Sequence, residues 1–259
     1  MSETVLAARD GAIATVTLNA PEKLNALDLA TWTRLGEVVA ELAADDALRC
    51  IVIRGAGDKA FAAGADIGEF ATVRKNSAAS KIYGERVAAT MQAVMDCRHP
   101  TVALIRGACV GGGLEVAACC DIRICGESSR FGVPIKRLGL VMAYGELAKL
   151  AALVGRAVAL EILLEGRVFG AAEALAKGLV NRVVADAAVE KEAYDCARRI
   201  AEGAPLVARW HKKFLNRLQD PRPLTETEKD EGFACYDTED FKEGVQAFLA
   251  KKDPNFRGR

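Results

Sequence analysis

Residues 107–120, GACVGGGLEVAACC, hold one charged side chain, Glu115, in a run that is otherwise apolar or glycine-rich. Burying a carboxylate costs several kcal/mol unless something compensates. Three glycines, Gly111, Gly112 and Gly113, lie just before it. A chain without side chains there can bring bare backbone N–H groups up to a ligand. An apolar setting raises a carboxyl pKa toward the working range, and preset amides stabilise an oxyanion. Together these residue types point to proton transfer beside a developing negative charge. The alternative is a core glutamate paired with Arg106 or Arg123.

The elements that must position these residues are readable from periodicity. Residues 12–18 alternate like a half-buried strand, and Leu29, Trp32, Leu35, Val38, Val39 and Leu42 recur at helical spacing after Asp28, a suitable N-cap. A β-branched strand over 50–54 leads into a loop, GAGDKAFAAGADIG, and then a helix ending near Met95, before His99-Pro100. Residues 101–105 read as a strand, 107–113 as a turn, 114–120 as a buried helix and 121–125 as a further strand. Two strands end alike, in Ile53-Arg54-Gly55 and Ile105-Arg106-Gly107, a short internal repeat that suits an α/β fold. Beyond Gly145 the chain turns helical, with 180–184 its one clear strand. The expected division is a core over 1–204 and a helical region over 205–259. In the latter, Thr225 and Glu228 have capping-box spacing, and Phe241, Val245 and Phe248 form an apolar stripe.

Lys plus Arg and Asp plus Glu each number 35 among 259 residues, so no net charge favours nucleic acid or an anionic membrane. The N-terminal stretch lacks the basic start and unbroken apolar block of a secretory signal, and no run resembles a membrane span. The reading is a soluble cytoplasmic protein. Six of the eight cysteines, Cys50, Cys97, Cys109, Cys119, Cys120 and Cys125, mostly fall in apolar runs, as reduced core thiols do. Without a CxxC pair, and with only His99 and His211, no metal site is expected.

Four stretches resemble the crotonase superfamily, the enoyl-CoA hydratase/isomerase enzymes: Asn25-Ala26-Leu27 after Pro21, AFAAGADIGEF at 60–70, GACVGGGLEVAACCDI at 107–122 and FGVPIKRLGL at 131–140. The resemblance spans the chain. It implies an α/β spiral of ββα repeats with a C-terminal helical trimerisation region, assembled as a homotrimer or dimer of trimers. It implies an acyl-CoA thioester substrate, no separate cofactor because coenzyme A is part of that substrate, and an oxyanion hole from the backbone N–H groups of Ala65 and Gly112. Glu115 matches one member of the hydratase acid/base pair.

The second hydratase glutamate falls at Ile135, and an aspartate used by some relatives falls at Ala143. Two-glutamate hydration therefore does not carry over unchanged. Tyr144 and Glu146 stand close by as replacement proton donors, although an acidic residue at Glu146 also suits the first turn of a helix. For the coenzyme, the candidates are Lys23, the backbone around Ala63, Asp66 and Ile67, and Phe248 with Lys251 in the tail. Asp66 and Asn25 also suit structural roles, through side-chain hydrogen bonds to backbone.

The functional expectation is an acyl-CoA enzyme of the hydratase/isomerase type working through a stabilised thioester enolate. A decarboxylase of malonyl-type thioesters stands second, because it tolerates loss of one carboxylate. A non-catalytic CoA- or RNA-binding relative is a further alternative, opposed by the intact Ala65, Gly112 and Glu115 set and by the absence of a basic, aromatic-rich segment. A serine hydrolase is opposed by the lack of a nucleophile-elbow serine.

Overall fold

The computed structural model describes residues 3–259. Ten strands run β1 (Val5–Asp10), β2 (Ile13–Leu18), β3 (Cys50–Gly55), β4 (Ala60–Ala62), β5 (Thr101–Ile105), β6 (Ala108–Val110), β7 (Ile122–Gly126), β8 (Arg130–Gly132), β9 (Phe169–Gly170) and β10 (Arg182–Val184). Between and after them lie α1 (Leu29–Ala43), α2 (Phe70–Val73), α3 (Ser77–Asp96), α4 (Gly112–Cys119), α5 (Tyr144–Glu165), α6 (Ala171–Ala176), α7 (Val189–Glu202), α8 (Pro205–Arg217), α9 (Glu226–Glu231) and α10 (Glu239–Ala250).

The strands form two sheets, ordered β1-β2-β3-β5-β7-β10 and β4-β6-β8-β9. Three times the chain passes through a strand of the larger sheet, a short strand of the smaller one, and a helix: β3-β4-α3, β5-β6-α4 and β7-β8-α5. Successive passes pair in parallel in both sheets, β3 with β5 with β7 and β4 with β6 with β8, so each pass advances one strand along the spiral. The repeated Ile-Arg-Gly ends fall at equivalent turns. Their arginines, Arg54 and Arg106, both pair with Glu190, at 3.0 and 3.2 Å.

Strands buried on both faces need apolar residues at every position, and the pleat sends alternate ones to opposite layers. Ile51, Ile53, Ala103 and Ile105 join the main core with α1, α3 and α4, while Cys50, Val52, Val102 and Leu104 pack under Val189, Ala193, Cys196 and Ala197 of α7. Helix α1 starts where Asp28 Oδ1 accepts the Thr31 N–H at 2.7 Å. It docks on α3 through the Thr90 hydroxyl, which donates to the Trp32 carbonyl at 2.7 Å.

Several boundaries differ from those read in the sequence. The loop after β3 contains β4, and the turn before Glu115 contains β6. Both are three-residue strands, too short for alternation to register. Phe169–Gly170 adds a further strand beyond Gly145, antiparallel to β8. Helix α4 begins at Gly112 and α3 at Ser77, after the separate short helix α2. All eight cysteines are free thiols, and the six named above are buried. Among the described residues no helix is long and apolar enough to cross a membrane. From Pro205 onward the chain is helical, and α10 buries only Asp240 and Ala247 of its own residues while Phe248 and Leu249 stay exposed.

Candidate active site

Residues 60–66 and 107–113 meet because β4 and β6 pair in parallel, bringing two equivalent turns of the spiral side by side. Leu27 bridges to the first turn: its N–H donates to the Gly64 carbonyl at 2.8 Å, and its carbonyl accepts the Asp66 N–H at 2.9 Å. That ladder leaves the intervening Ala65 N–H directed away from it, with no acceptor among the described residues. In the second turn Gly111 has φ +52°, a left-handed conformation that glycine adopts at no steric cost, and it leads straight into α4. Gly112 is the first residue of α4, where a helix has no internal acceptor for its N–H.

The two free amides are close neighbours. A methyl group built on Gly112 would stand 3.5 Å from the Ala65 nitrogen, and one built on Gly64 would stand 3.6 Å from the Gly112 nitrogen. The approach depends on Gly113, where a methyl group would meet the Ala62 carbonyl oxygen at 2.2 Å. Two N–H donors with the positive end of a helix behind one of them form an anion site.

Both amides open into a cavity of about 380 Å³, whose lining includes Trp32, Ala63, Gly64, Ala65, Ile67, Gly112, Glu115, Ile135 and Glu146. Glu115 projects from the first turn of α4 into this space. Desolvation, and secondarily the nearby Glu146 carboxylate, push its pKa up to about 8, against a small opposing pull from Arg74. The two arginines considered as its partners are engaged elsewhere. Arg106 pairs with Glu190, and Arg123 donates to the carbonyls of Leu179, Ala117 and Cys120.

Ile135 lies in a short 3-10 turn (Pro134–Leu138) on the cavity wall, so the position of the second hydratase glutamate presents an aliphatic face. A second carboxylate arrives from α5 instead. Glu146 Oε2 accepts the Ala143 N–H at 2.7 Å, which fixes the side chain across the first helical turn. Desolvation raises its pKa, while the Ala143 hydrogen bond lowers it.

The other sequence candidates divide by place. Ala63 and Ile67 line the cavity. Asp66 holds its own loop, accepting the Gly68 N–H at 2.9 Å, and pairs with Lys23 at 2.8 Å beside the site. Tyr144 does not join the site: its neighbour two residues on faces the cavity, whereas Tyr144 itself is 92% exposed. Phe248 and Lys251 are likewise not brought to this cavity by their own chain, since Phe248 borders a separate apolar groove with Phe241 and Val245. Asn25 is structural, buried with its amide donating to the Ala56 and Ala60 carbonyls and its oxygen accepting the Ala20 N–H. Arg74, Tyr83 and Trp32 were not singled out in the sequence as site residues, yet all three line the cavity.

Paired parallel turns of a ββα spiral, with free amides and one acid at a helix start, define the crotonase class of fold. The enoyl-CoA hydratase/isomerase family model matches residues 8–259. The chain belongs to that family. It is 33% identical over 250 residues to a short-chain-enoyl-CoA hydratase of Clostridium acetobutylicum, covering 96% of this chain and 95% of the relative. It is also 33% identical to a carnitinyl-CoA dehydratase of Citrobacter koseri over the whole of both chains. A crystal structure of an enoyl-CoA hydratase/carnithine racemase from Magnetospirillum magneticum superposes with a TM-score of 0.98 at 50% identity, covering 100% of this chain and 97% of that one.

Proposed function

We propose that the protein hydrates 2-enoyl-CoA thioesters, and dehydrates the 3-hydroxyacyl products in reverse, with Glu115 and Glu146 as its proton-transfer pair. The carrying observation is the convergence of two acceptor-free amides, Ala65 and Gly112, on the cavity that holds Glu115. Such donors, aimed where an enolate oxygen develops, contribute about 3–4 kcal/mol each to the transition state.

At neutral pH Glu115, with a pKa of about 8, carries a proton. Two carboxyl groups in one desolvated site share a proton rather than both ionise. In the forward direction water attacks the β carbon and gives its proton to Glu146, the thioester oxygen takes up the electron pair in the amide hole, and Glu115 delivers its proton to the α carbon. Proton return from Glu146 to Glu115 resets the pair. The hydrogen bond from Ala143 occupies one oxygen of Glu146 and leaves the other for water.

The same family relation supports an acyl-CoA substrate without a further cofactor and a cytoplasmic setting. The exposed apolar residues of α10 support a homotrimer or dimer of trimers built on the C-terminal helices. Loss of the conjugated enoyl-thioester absorbance on mixing with trans-2-enoyl-CoA substrates tests the assignment. Hydration that falls by at least about 1,000-fold in Glu115→Gln supports it. Full activity in that variant contradicts it.

A further inference from the structure

Three buried polar atoms around the cavity make no hydrogen bond of normal geometry: Arg74 Nε, Trp32 Nε1 and the Tyr83 hydroxyl, the last two being near each other. All three residues line the same space. Buried polar groups are normally paired, so three orphans around one cavity call for an occupant that satisfies them. An indole or guanidinium N–H can only donate. The occupant must therefore accept several hydrogen bonds at once.

Arg74 adds charge to that requirement. Its guanidinium stacks on Phe70 and Tyr83, 4.6 and 5.0 Å from the ring centroids, and forms no ion pair among the described residues. No carboxylate oxygen among the described residues lies within ion-pair distance of it, and the Glu115–Glu146 pair balances its charge only at longer range. Glu115 is held protonated up to about pH 8, Glu146 is committed to the Ala143 N–H, and Glu69 accepts the Leu29 N–H at 2.9 Å. Burial and Glu69 push the Tyr83 hydroxyl up to about 12, so it remains a donor at neutral pH.

One of the three residues, Trp32, also lies beside the amide hole. A methyl group on Gly112 would stand 2.9 Å from Trp32 Cζ2, which places the indole against the amide hole. Arg74 and Tyr83 line the same cavity as the amides, so one acyl chain could reach both. Among the groups an acyl chain can carry, one with a negative charge and multiple acceptor lone pairs is a carboxylate.

We infer that Trp32, Arg74 and Tyr83 form a subsite for a carboxylate on the acyl chain, making the preferred substrate the thioester of a short unsaturated dicarboxylic acid rather than of a simple fatty acid. The inference rests on the hydratase reading for its reaction and on the orphan donors for its specificity.

The test compares crotonyl-CoA with glutaconyl-CoA, its counterpart bearing a carboxylate on the terminal methyl. The wild type is expected to favour the carboxylated substrate in kcat/KM by more than about 10-fold, and Arg74→Met to lower that ratio by about 10- to 100-fold, with Arg74→Lys intermediate. Tyr83→Phe lowers the ratio less. Equal preference in the wild type, or a substitution that reduces both substrates in proportion, overturns the subsite. If neither thioester is hydrated, the functional reading fails separately. Calorimetric titration with the unreactive pair glutaryl-CoA and butyryl-CoA then decides the subsite, tighter glutaryl-CoA binding supporting it and equal or weaker binding refuting it.

Discussion

Ala65 and Gly112 belong to successive turns of the spiral, and a methyl group on Gly112 would reach within 3.5 Å of the Ala65 nitrogen. Neither N–H has an acceptor among the described residues. The pair is built by backbone alone, so substitutions test it through the glycines that permit the approach.

Gly112→Ala should damage catalysis more than folding. Its methyl would crowd the buried Trp32 ring, at 2.9 Å from Cζ2, while intruding on the space between the amides. We expect kcat/KM to fall at least about 100-fold and unfolding free energy to drop by about 1–2 kcal/mol. Gly113→Ala should do the reverse in relative terms, because its methyl meets the Ala62 backbone oxygen at 2.2 Å. Urea unfolding and steady-state kinetics on both variants separate the two effects.

Glu115 should cost stability at alkaline pH. Its folded pKa of about 8 exceeds the ordinary carboxyl value, so the folded state binds more protons between roughly pH 4.5 and 8. The stability contributed by the neutral form is fully present below that window and is lost as pH rises through it. Replacing the acid by an amide that cannot ionise should therefore raise the melting temperature at pH 9 and change it little at pH 5. The expected gain at pH 9 is about 1–4 kcal/mol, and an equal change at both pH values would argue against a desolvated acid.

Glu146 should be felt by Glu115 directly. Its charge is the second cause of the Glu115 shift, so Glu146→Gln should lower the Glu115 pKa, measured by carbon-13 NMR of labelled glutamate side chains. Hydration should also fall by at least about 100-fold in that variant. An unchanged Glu115 titration together with full hydration activity would remove Glu146 from the pair.

Asn25 should matter for stability and only indirectly for turnover. Its amide ties three backbone segments together at 2.8–3.1 Å, and truncation leaves buried partners unpaired. Asn25→Ala is expected to lose about 2–4 kcal/mol in denaturant unfolding. A loss under about 0.5 kcal/mol would show that water replaces the amide.

The parts legible in the sequence are those whose physical signal is local. Glu115 stood out because a lone acid among apolar residues and glycines is costly, and strands 50–54 and 101–105 because burial on both faces demands unbroken apolar runs. The three-residue strands β4 and β6 were hidden, since their identity lies in pairing with each other rather than in their own pattern. Tyr144 and Glu146 were indistinguishable as candidates from spacing alone. The start of α5 resolves them, directing Glu146 back to the Ala143 N–H and Tyr144 into solvent. Arg74 and Tyr83, on a short helix end and a long helix, carry no local signature of a site. Only the folded arrangement places their unpaired donors beside Trp32.

Deuterium incorporation tests the enolate account most directly. Incubation in deuterated water with a panel of enoyl, 3-hydroxyacyl and malonyl thioesters, followed by mass spectrometry, distinguishes hydration, isomerisation and decarboxylation by product mass. The account predicts water addition with one deuteron delivered to the α carbon, suppressed in Glu115→Gln. Equal α-carbon labelling in the wild type and that variant would contradict it.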